Sequence, residues 1–168
     1  MSNYYTKAEV DSKITNGNSI FISSNSKVGD CGIITDGVYN VRWVIYTISG
    51  NTYQLFPMEN LTCHVMHSDY RTGEYTKSEM YPFIHNTVLP NLRRSGLNIT
   101  ACDLVSKSVY DDICSKTGIA SRIISGGEYF WLTDYNESCT YTVYYDGKIN
   151  DYELTLSRGV RPLITVVK

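Results

Sequence analysis

One short stretch of the chain gathers side chains that could bind a metal ion. Cys63, His64 and His67 lie close together, and Asp69 follows them. Zinc sites normally take a second pair of ligands from another short motif, and the remaining histidine, His85, stands alone. We therefore predict a loop with two solvent-facing histidines, and we expect no metal site and no cofactor.

The five cysteines are the candidate nucleophiles. Their number is odd and no two of them form a C-x-x-C pair, which is typical of free, mostly buried thiols made in a reducing cytosol. A thiol could still meet a histidine in space, but no local signature supports such a pair. We expect no enzyme activity. The five residues are Cys31, Cys63, Cys102, Cys114 and Cys139.

Tyrosine is the compositional outlier of this chain of 168 residues. Fifteen tyrosines stand against four phenylalanines and two tryptophans, so most aromatic rings carry a hydroxyl group. A buried hydroxyl needs a hydrogen-bond partner, which favours half-exposed rings. The 15 basic and 17 acidic residues give a net charge of -2, which argues against nucleic acid as a partner. The apolar runs are too short to span a bilayer, so we expect no membrane insertion.

The tyrosines concentrate between residues 135 and 152, where polar residues alternate with them. Neighbouring residues of a strand point to opposite faces. We therefore predict that Tyr141, Val143 and Tyr145 face the core and that Tyr144 is exposed. The alternative is that these rings have no binding role and are present only because antiparallel sheets favour aromatic residues. The predicted ligand-binding residues are Tyr135, Asn136, Glu137, Tyr144, Asp151 and Tyr152.

Local patterns predict the elements that would position these residues. Residues 38–48 and 52–56 favour a β-hairpin, and residues 77–95 favour a helix kinked or split by Pro82 and Pro90. A second helix should end at Gly118, and Asp146-Gly147 favours a type I′ turn between two strands. Helices in the middle and strands at the end, without β-α-β alternation, predict an α+β fold with a mostly antiparallel sheet.

The first residues predict a short, well-capped helix. Thr6 and Glu9 have capping-box spacing, and Tyr5 and Val10 have the spacing of a hydrophobic staple. So short a helix is not stable alone, so the stripe of Val10 and Ile14 needs a partner. The partner is either the chain's own domain or the same helix of other subunits. We divide the chain into an N-terminal element with its linker, residues 1–28, and a domain, residues 29–168.

This N-terminal sequence, YYTKAEVDSKI, resembles a short element of bacteriophage fibre and baseplate proteins with the form Y-Y-T-K-x-E-V-D. The resemblance covers residues 3–14 and implies an element that helps to hold a trimer together. Tyr5, Val10 and Ile14 are then the expected oligomerisation residues. A three-fold bundle would bury their apolar stripe.

The rest of the chain resembles a domain of phage fibre tips and bacterial surface proteins that is similar to C-type lectins and to the formylglycine-generating-enzyme fold. The resemblance covers residues 37–168. It implies a C-type-lectin-like domain with two or three short helices, in which Trp131 is a core ring and Arg161 a buried hydrogen-bonding residue. The family pattern more often has W-L-R-S where this chain has W-L-T-D, and the enzyme's catalytic cysteine pair has no counterpart here. The motifs are Ser78-Glu79-Met80, the strand 129–133, Asp146-Gly147 and the closing 158–162.

Together these features predict a homotrimeric fibre or tail protein of a bacteriophage virion, made in the host cytoplasm. Its N-terminus would contact other virion proteins, and its tyrosine-rich face would bind a glycan or a protein on the host surface. The closest alternative is a purely structural head-decoration or baseplate fibre. The enzymatic alternative is a thiol enzyme or a glycan hydrolase of the related fold.

Overall fold

A computed structural model describes residues 22–69, 73–136 and 139–168. The predicted N-terminal helix with Tyr5, Val10 and Ile14 lies outside these residues, as does Glu137. The described residues form an α+β fold with two mostly antiparallel sheets, as the sequence predicts. None of the helices in the described ranges is long and apolar enough to cross a membrane.

The first sheet has five strands in the order β1-β2-β3-β10-β5. Its central hairpin is the predicted one, and each inner strand pairs antiparallel with its neighbours. The strands are β1 (Cys31–Thr35), β2 (Asn40–Ser49), β3 (Thr52–Pro57), β5 (Ile99–Asp103) and β10 (Leu163–Val167).

The second sheet has the order β4-β9-β6-β7-β8. Strands β6 and β9 pair in parallel at Phe130 and Gly159, and the other neighbours pair antiparallel. Trp131 lies fully buried on the central strand, and its Nε1 donates to the His64 carbonyl at 2.8 Å, so its predicted core position is confirmed. The strands are β4 (Thr62–His64), β6 (Phe130–Asn136), β7 (Cys139–Val143), β8 (Ile149–Glu153) and β9 (Arg158–Val160).

The first helix, α1, has three successive parts: Met80–Phe83, a π-helical turn Ile84–Val88, and Leu89–Arg93. A 3-10 turn, Tyr75–Lys77, precedes it. Proline at position 90 lacks an amide hydrogen and its ring crowds the preceding turn of an α-helix. The Leu89 amide instead donates five residues back, to Ile84, so the helix adapts through a π turn. The helix that was predicted to be kinked or split by the prolines therefore consists of three successive segments, with a π turn just before Pro90.

The second helix, α2 (Lys107–Thr117), ends at Gly118 as its sequence predicts. The Ser106 hydroxyl accepts from the Val109 amide, and Gly118 ends the helix with a φ of 68°. A short helix, α3 (Ser121–Ile124), follows. The Tyr46 hydroxyl on β2 donates to the Asp112 carboxylate and fastens α2 to the first sheet.

Two apolar cores lie on opposite faces of the sheets. Helix α1 packs into one core with Trp43, Trp131 and Val160, and α2 packs into the other with Val44 and Phe130. Adjacent residues of one strand, such as Trp43 and Val44, enter different cores. Both sheets are therefore covered on two sides over their central strands.

Candidate ligand-binding site

The candidate site lies at the end of the second sheet formed by β6, β7 and β8. Thr142 pairs with Trp131 on one side of β7, and Thr140 pairs with Tyr152 on the other. Paired residues point to the same face of a sheet, so Tyr152 lies on the face of Trp131. Tyr129, two residues before Trp131, continues this face toward the end of the sheet.

Four tyrosine rings meet there and form what we call the tyrosine cluster: Tyr129, Tyr144, Tyr145 and Tyr152. The ring centroids of Tyr129 and Tyr144 are 5.0 Å apart, and those of Tyr129 and Tyr145 are 5.7 Å apart. The Tyr144 and Tyr152 centroids are 5.9 Å apart at a steep angle. Such tilted contacts are the favoured geometry of aromatic pairs, so the rings hold each other in place.

Arg158, on β9, contacts two rings of the tyrosine cluster. Its Cζ atom lies 4.0 Å from the Tyr152 centroid and 5.1 Å from the Tyr129 centroid, within the range of cation–π attraction. Its Nη1 donates to the Ser157 carbonyl at 2.9 Å. Among the described residues no carboxylate pairs with Arg158, so an uncompensated positive charge lies beside the tyrosine cluster.

An open cleft of about 370 Å³ lies beside the cluster. Burial raises the pKa of the Tyr144 phenol, and the neighbouring phenols of Tyr152 and Tyr129 raise it further. The Tyr144 hydroxyl therefore stays protonated and can donate a hydrogen bond at neutral pH. The lining residues are Cys139, Tyr144, Asp151, Tyr152, Glu153 and Leu156.

The structure brings the predicted ligand-binding residues into two groups. Tyr144 and Tyr152 meet in the tyrosine cluster, and Tyr135, with 48% of its surface exposed, pairs with Thr140 on the same sheet face. Asn136 and Asp151 lie on the other face, where the Asn136 amide donates to the Asp151 carboxylate at 3.2 Å. The strand alternation separates Asp151 from Tyr152, although both line the cleft.

The predicted facing of strand β7 is wrong in part. Thr140 and Thr142 are fully buried, Tyr141 is half-buried, and Tyr145 is 57% exposed. Val143 is buried as predicted. An alternation of polar and apolar residues identifies the buried face of a strand only when the other face is exposed to water. Both faces of β7 contact an apolar core. The Thr140 hydroxyl is accommodated by donating to the Gly73 carbonyl at 3.1 Å.

The turn at the end of β7 also differs from the predicted type I′ turn. That turn needs a positive φ at both central residues, but of Asp146 and Gly147 only Gly147 has one, at 83°. The Tyr144 carbonyl accepts from the Gly147 amide, and the Tyr144 amide donates to the Lys148 carbonyl. The connection is thus a three-residue loop, which projects Tyr145 beside the cluster.

Sequence reasoning missed Tyr129, Tyr145 and Arg158 as site residues. Tyr129 could have been found, because it shares the alternating face of Trp131 at the end of a strand. Arg158 could not, because it reaches the cluster only through the pairing of β9 with β6, between strands far apart in the chain.

The predicted loop of two solvent-facing histidines is corrected. His67 is buried, with 4% of its surface exposed, and the His64 ring stacks on Phe83 with centroids 4.0 Å apart. His64 lies on strand β4, and Met66, between the two histidines, is fully buried. Within the described ranges, no group of three or more potential ligands could hold a metal ion.

Three of the five cysteines, Cys31, Cys102 and Cys114, are buried, as the sequence predicts for most of the thiols. Burial raises the pKa of Cys102 and of Cys114 to about 12. A protonated thiol is a poor nucleophile, so these two side chains act as apolar core residues. Cys63 is exposed and Cys139 is half-buried at the cleft.

Comparison with known proteins gives no relative: no family model, no curated protein and no solved structure matches the chain.

Proposed function

We propose that this chain is a fibre or tail protein of a bacteriophage virion and that its tyrosine cluster binds a glycan on the host surface. The observation that carries the binding role is the cluster of four tyrosine rings, two of which contact an arginine, beside an open cleft. The proposed role is binding without turnover. The virion assignment is supported by the resemblance of residues 3–14 to phage fibre elements.

The chemistry of the cluster suits a saccharide. Half-exposed rings such as Tyr144 offer apolar faces for the C–H faces of a sugar, and their hydroxyls offer hydrogen bonds at the ring edge. A rigid ring needs little ordering when the ligand arrives, which favours affinity.

We further propose that the domain has a C-type-lectin-like architecture. Two mostly antiparallel sheets with a helix packed on each side support this assignment. The buried Trp131 and Arg161 of its motifs support it too, since both serve as structural residues.

In the proposed virion the protein is a homotrimer, assembled and anchored to other virion proteins through its N-terminal element. Three copies would turn three weak surface contacts into one strong attachment, because the second and third contacts become intramolecular.

Binding of fluorescently labelled full-length protein to host cells tests the proposal. The variants Tyr144→Ala and Tyr152→Ala should each weaken binding by roughly tenfold, the loss of a central aromatic contact. Tyr81→Ala is the matched control, because Tyr81 is a 37% exposed tyrosine on α1 whose ring contacts Tyr75 and His85, outside the tyrosine cluster. It should bind cells like the unchanged protein.

Two outcomes contradict the proposal. If the unchanged protein does not bind host cells, the purely structural alternative is favoured. If cell binding survives both substitutions in the cluster, the receptor site lies elsewhere on the molecule.

A further inference from the structure

Arg158 differs from Arg42 and Arg161 because no carboxylate among the described residues neutralises its charge. Arg42 forms an ion pair with Glu59 at 2.8 Å, and Arg161 forms one with Glu128 at 2.8 Å. For Arg158 the only described acceptor is the adjacent carbonyl of Ser157. A partly buried charge without a counterion costs stability, so a binding partner that supplies an anion would gain from it.

The guanidinium group is positioned by rings instead of by carboxylates. It lies against Tyr152 and Tyr129, and its Nε is enclosed without a hydrogen-bond acceptor among the described residues. Its planar fork of donors matches the geometry of a carboxylate or a phosphate. The rings also shield one side of the group from water, which strengthens its attraction to an anion.

The acidic residues of the cleft do not occupy this position. Asp151 and Glu153 flank Tyr152 along β8, so they point to the opposite face of the strand. Asp151 is engaged there by the Asn136 amide, and Glu153 pairs across the sheet with Cys139. The face that carries Arg158 therefore offers an anion-binding group next to aromatic stacking surfaces.

We propose that Arg158 makes the site selective for an anionic saccharide, a sugar that carries a carboxylate or a phosphate group. This inference rests on the proposed function and names its ligand class. The anionic substituent would bind the guanidinium, while the sugar ring stacks on the tyrosine cluster.

Titration of the full-length protein with three matched sugars, followed by NMR or calorimetry, tests the inference. Glucose is the neutral reference, glucuronic acid adds a carboxylate, and glucose 6-phosphate adds a phosphate. At least one anionic sugar should bind about tenfold more tightly than glucose, and the comparison of the two identifies the preferred group. Equal affinity for all three sugars, or no binding of any, would overturn the inference.

Two variants connect the selectivity to Arg158. Arg158→Gln should lose the preference for the anionic sugar, while Arg158→Lys should keep part of it because a point charge replaces a two-pronged donor. Thermal melts show whether each variant is folded. A preference that persists in folded Arg158→Gln would overturn the inference.

Inorganic phosphate separates anion binding from saccharide binding. It should bind more weakly than the preferred anionic sugar, because it cannot stack on the rings. If phosphate alone binds as tightly, the site holds an anion only and the inference is wrong.

Cell binding distinguishes the failure of this inference from the failure of the proposed function. If Tyr152→Ala abolishes cell binding and Arg158→Gln leaves it unchanged, the receptor role stands and the anionic ligand is rejected. If the unchanged protein binds no cells but discriminates the sugars through Arg158, the ligand class stands and the host-receptor role is rejected.

Discussion

The buried Arg161 side chain uses all three of its guanidinium nitrogens in hydrogen bonds. It is fully buried, its Nε donates to Asn60 Oδ1 at 2.7 Å, and its two terminal nitrogens reach Ser125, Glu128 and the Ile124 carbonyl. Burial lowers its pKa to about 10, and Glu128 opposes that shift. At Gly159 a Cβ atom would lie 2.1 Å from Asn60 Oδ1, the same oxygen that accepts from Arg161. The closing G-V-R-P motif therefore has a structural explanation. Gly159 leaves space for the Asn60 side chain, and Asn60 accepts a hydrogen bond from Arg161.

Replacement of Arg161 by alanine should destabilise the protein strongly. The change leaves the buried Ile124 carbonyl without its donor and removes the guanidinium partner of Asn60 and Glu128, at a cost of roughly 1–3 kcal/mol. Urea denaturation measures the free energy of unfolding. Arg42→Ala is the control, because its more exposed ion pair with Glu59 should contribute only about 0–1 kcal/mol. Equal losses from the two substitutions would contradict the structural role of Arg161.

Alkaline pH should destabilise the protein through its buried thiols. The pKa of Cys102 and of Cys114 is raised to about 12 in the folded chain, whereas an unfolded thiol ionises near 9. This contribution to stability is present below about pH 9 and is lost as the pH rises toward 12, at roughly 1 kcal/mol per thiol by pH 10. Denaturation at pH 8 and pH 10 measures the difference.

Thiol labelling at pH 8 gives an independent check on those two residues. Cys63 is exposed and should react with Ellman's reagent in the folded protein, while Cys102 and Cys114 should react only after unfolding. Rapid reaction of all five thiols in the folded state would contradict the buried assignment.

At the scale of elements, helix ends and turns depend on local sequence, and strand faces depend on the cores. Gly118 ends α2 as predicted, because glycine adopts a positive φ easily, whereas the helix begins at Lys107, after the Ser106 cap, and not near Val109. The hairpin of β2 and β3 follows from a turn between two β-favouring runs. The burial of Thr140 and Thr142 on β7 does not follow from local sequence, because the core on their face contains residues distant in the chain, such as Trp43.

Substitution at the start of α2 should show the contribution of its cap. Ser106→Ala removes the acceptor of the Val109 amide and should cost roughly 0.5–2 kcal/mol. Ser115→Ala is the control, because Ser115 is exposed in the interior of the same helix, where alanine is favoured. Thermal denaturation should show a lower midpoint for the first variant and an unchanged or higher one for the second. The reverse order would argue that the cap contributes nothing.

At the scale of the whole molecule, the sequence predicted the fold class better than it predicted the site. The α+β class follows from the order of helical and extended runs, which is visible locally. Strands β1 and β5 were missed because CGIIT and ITACD are short and lack clear alternation. The meeting of Arg158 with Tyr129 depends on sheet order, which local patterns do not encode.

The assembly state is also a property of the whole molecule. We expect the full chain to form a trimer, with three times the mass of 19.1 kDa, because the N-terminal stripe needs partners. A truncated chain without residues 1–20 should be monomeric. Light scattering of both proteins measures their masses. A monomeric full-length chain, or a trimeric truncated one, would contradict assembly through this element.

Strand β10 lies between β3 and β5, although residues 163–167 come more than a hundred residues after β3. During biosynthesis one edge of β3 therefore stays unpaired until residues 163–167 have emerged from the ribosome. The first sheet can be completed only after residues 163–167 have been synthesised, and an unpaired edge is a template for association with other chains. Chains interrupted before Leu163 are thus expected to be captured by chaperones and proteases, so that only chains translated through β10 would reach assembly.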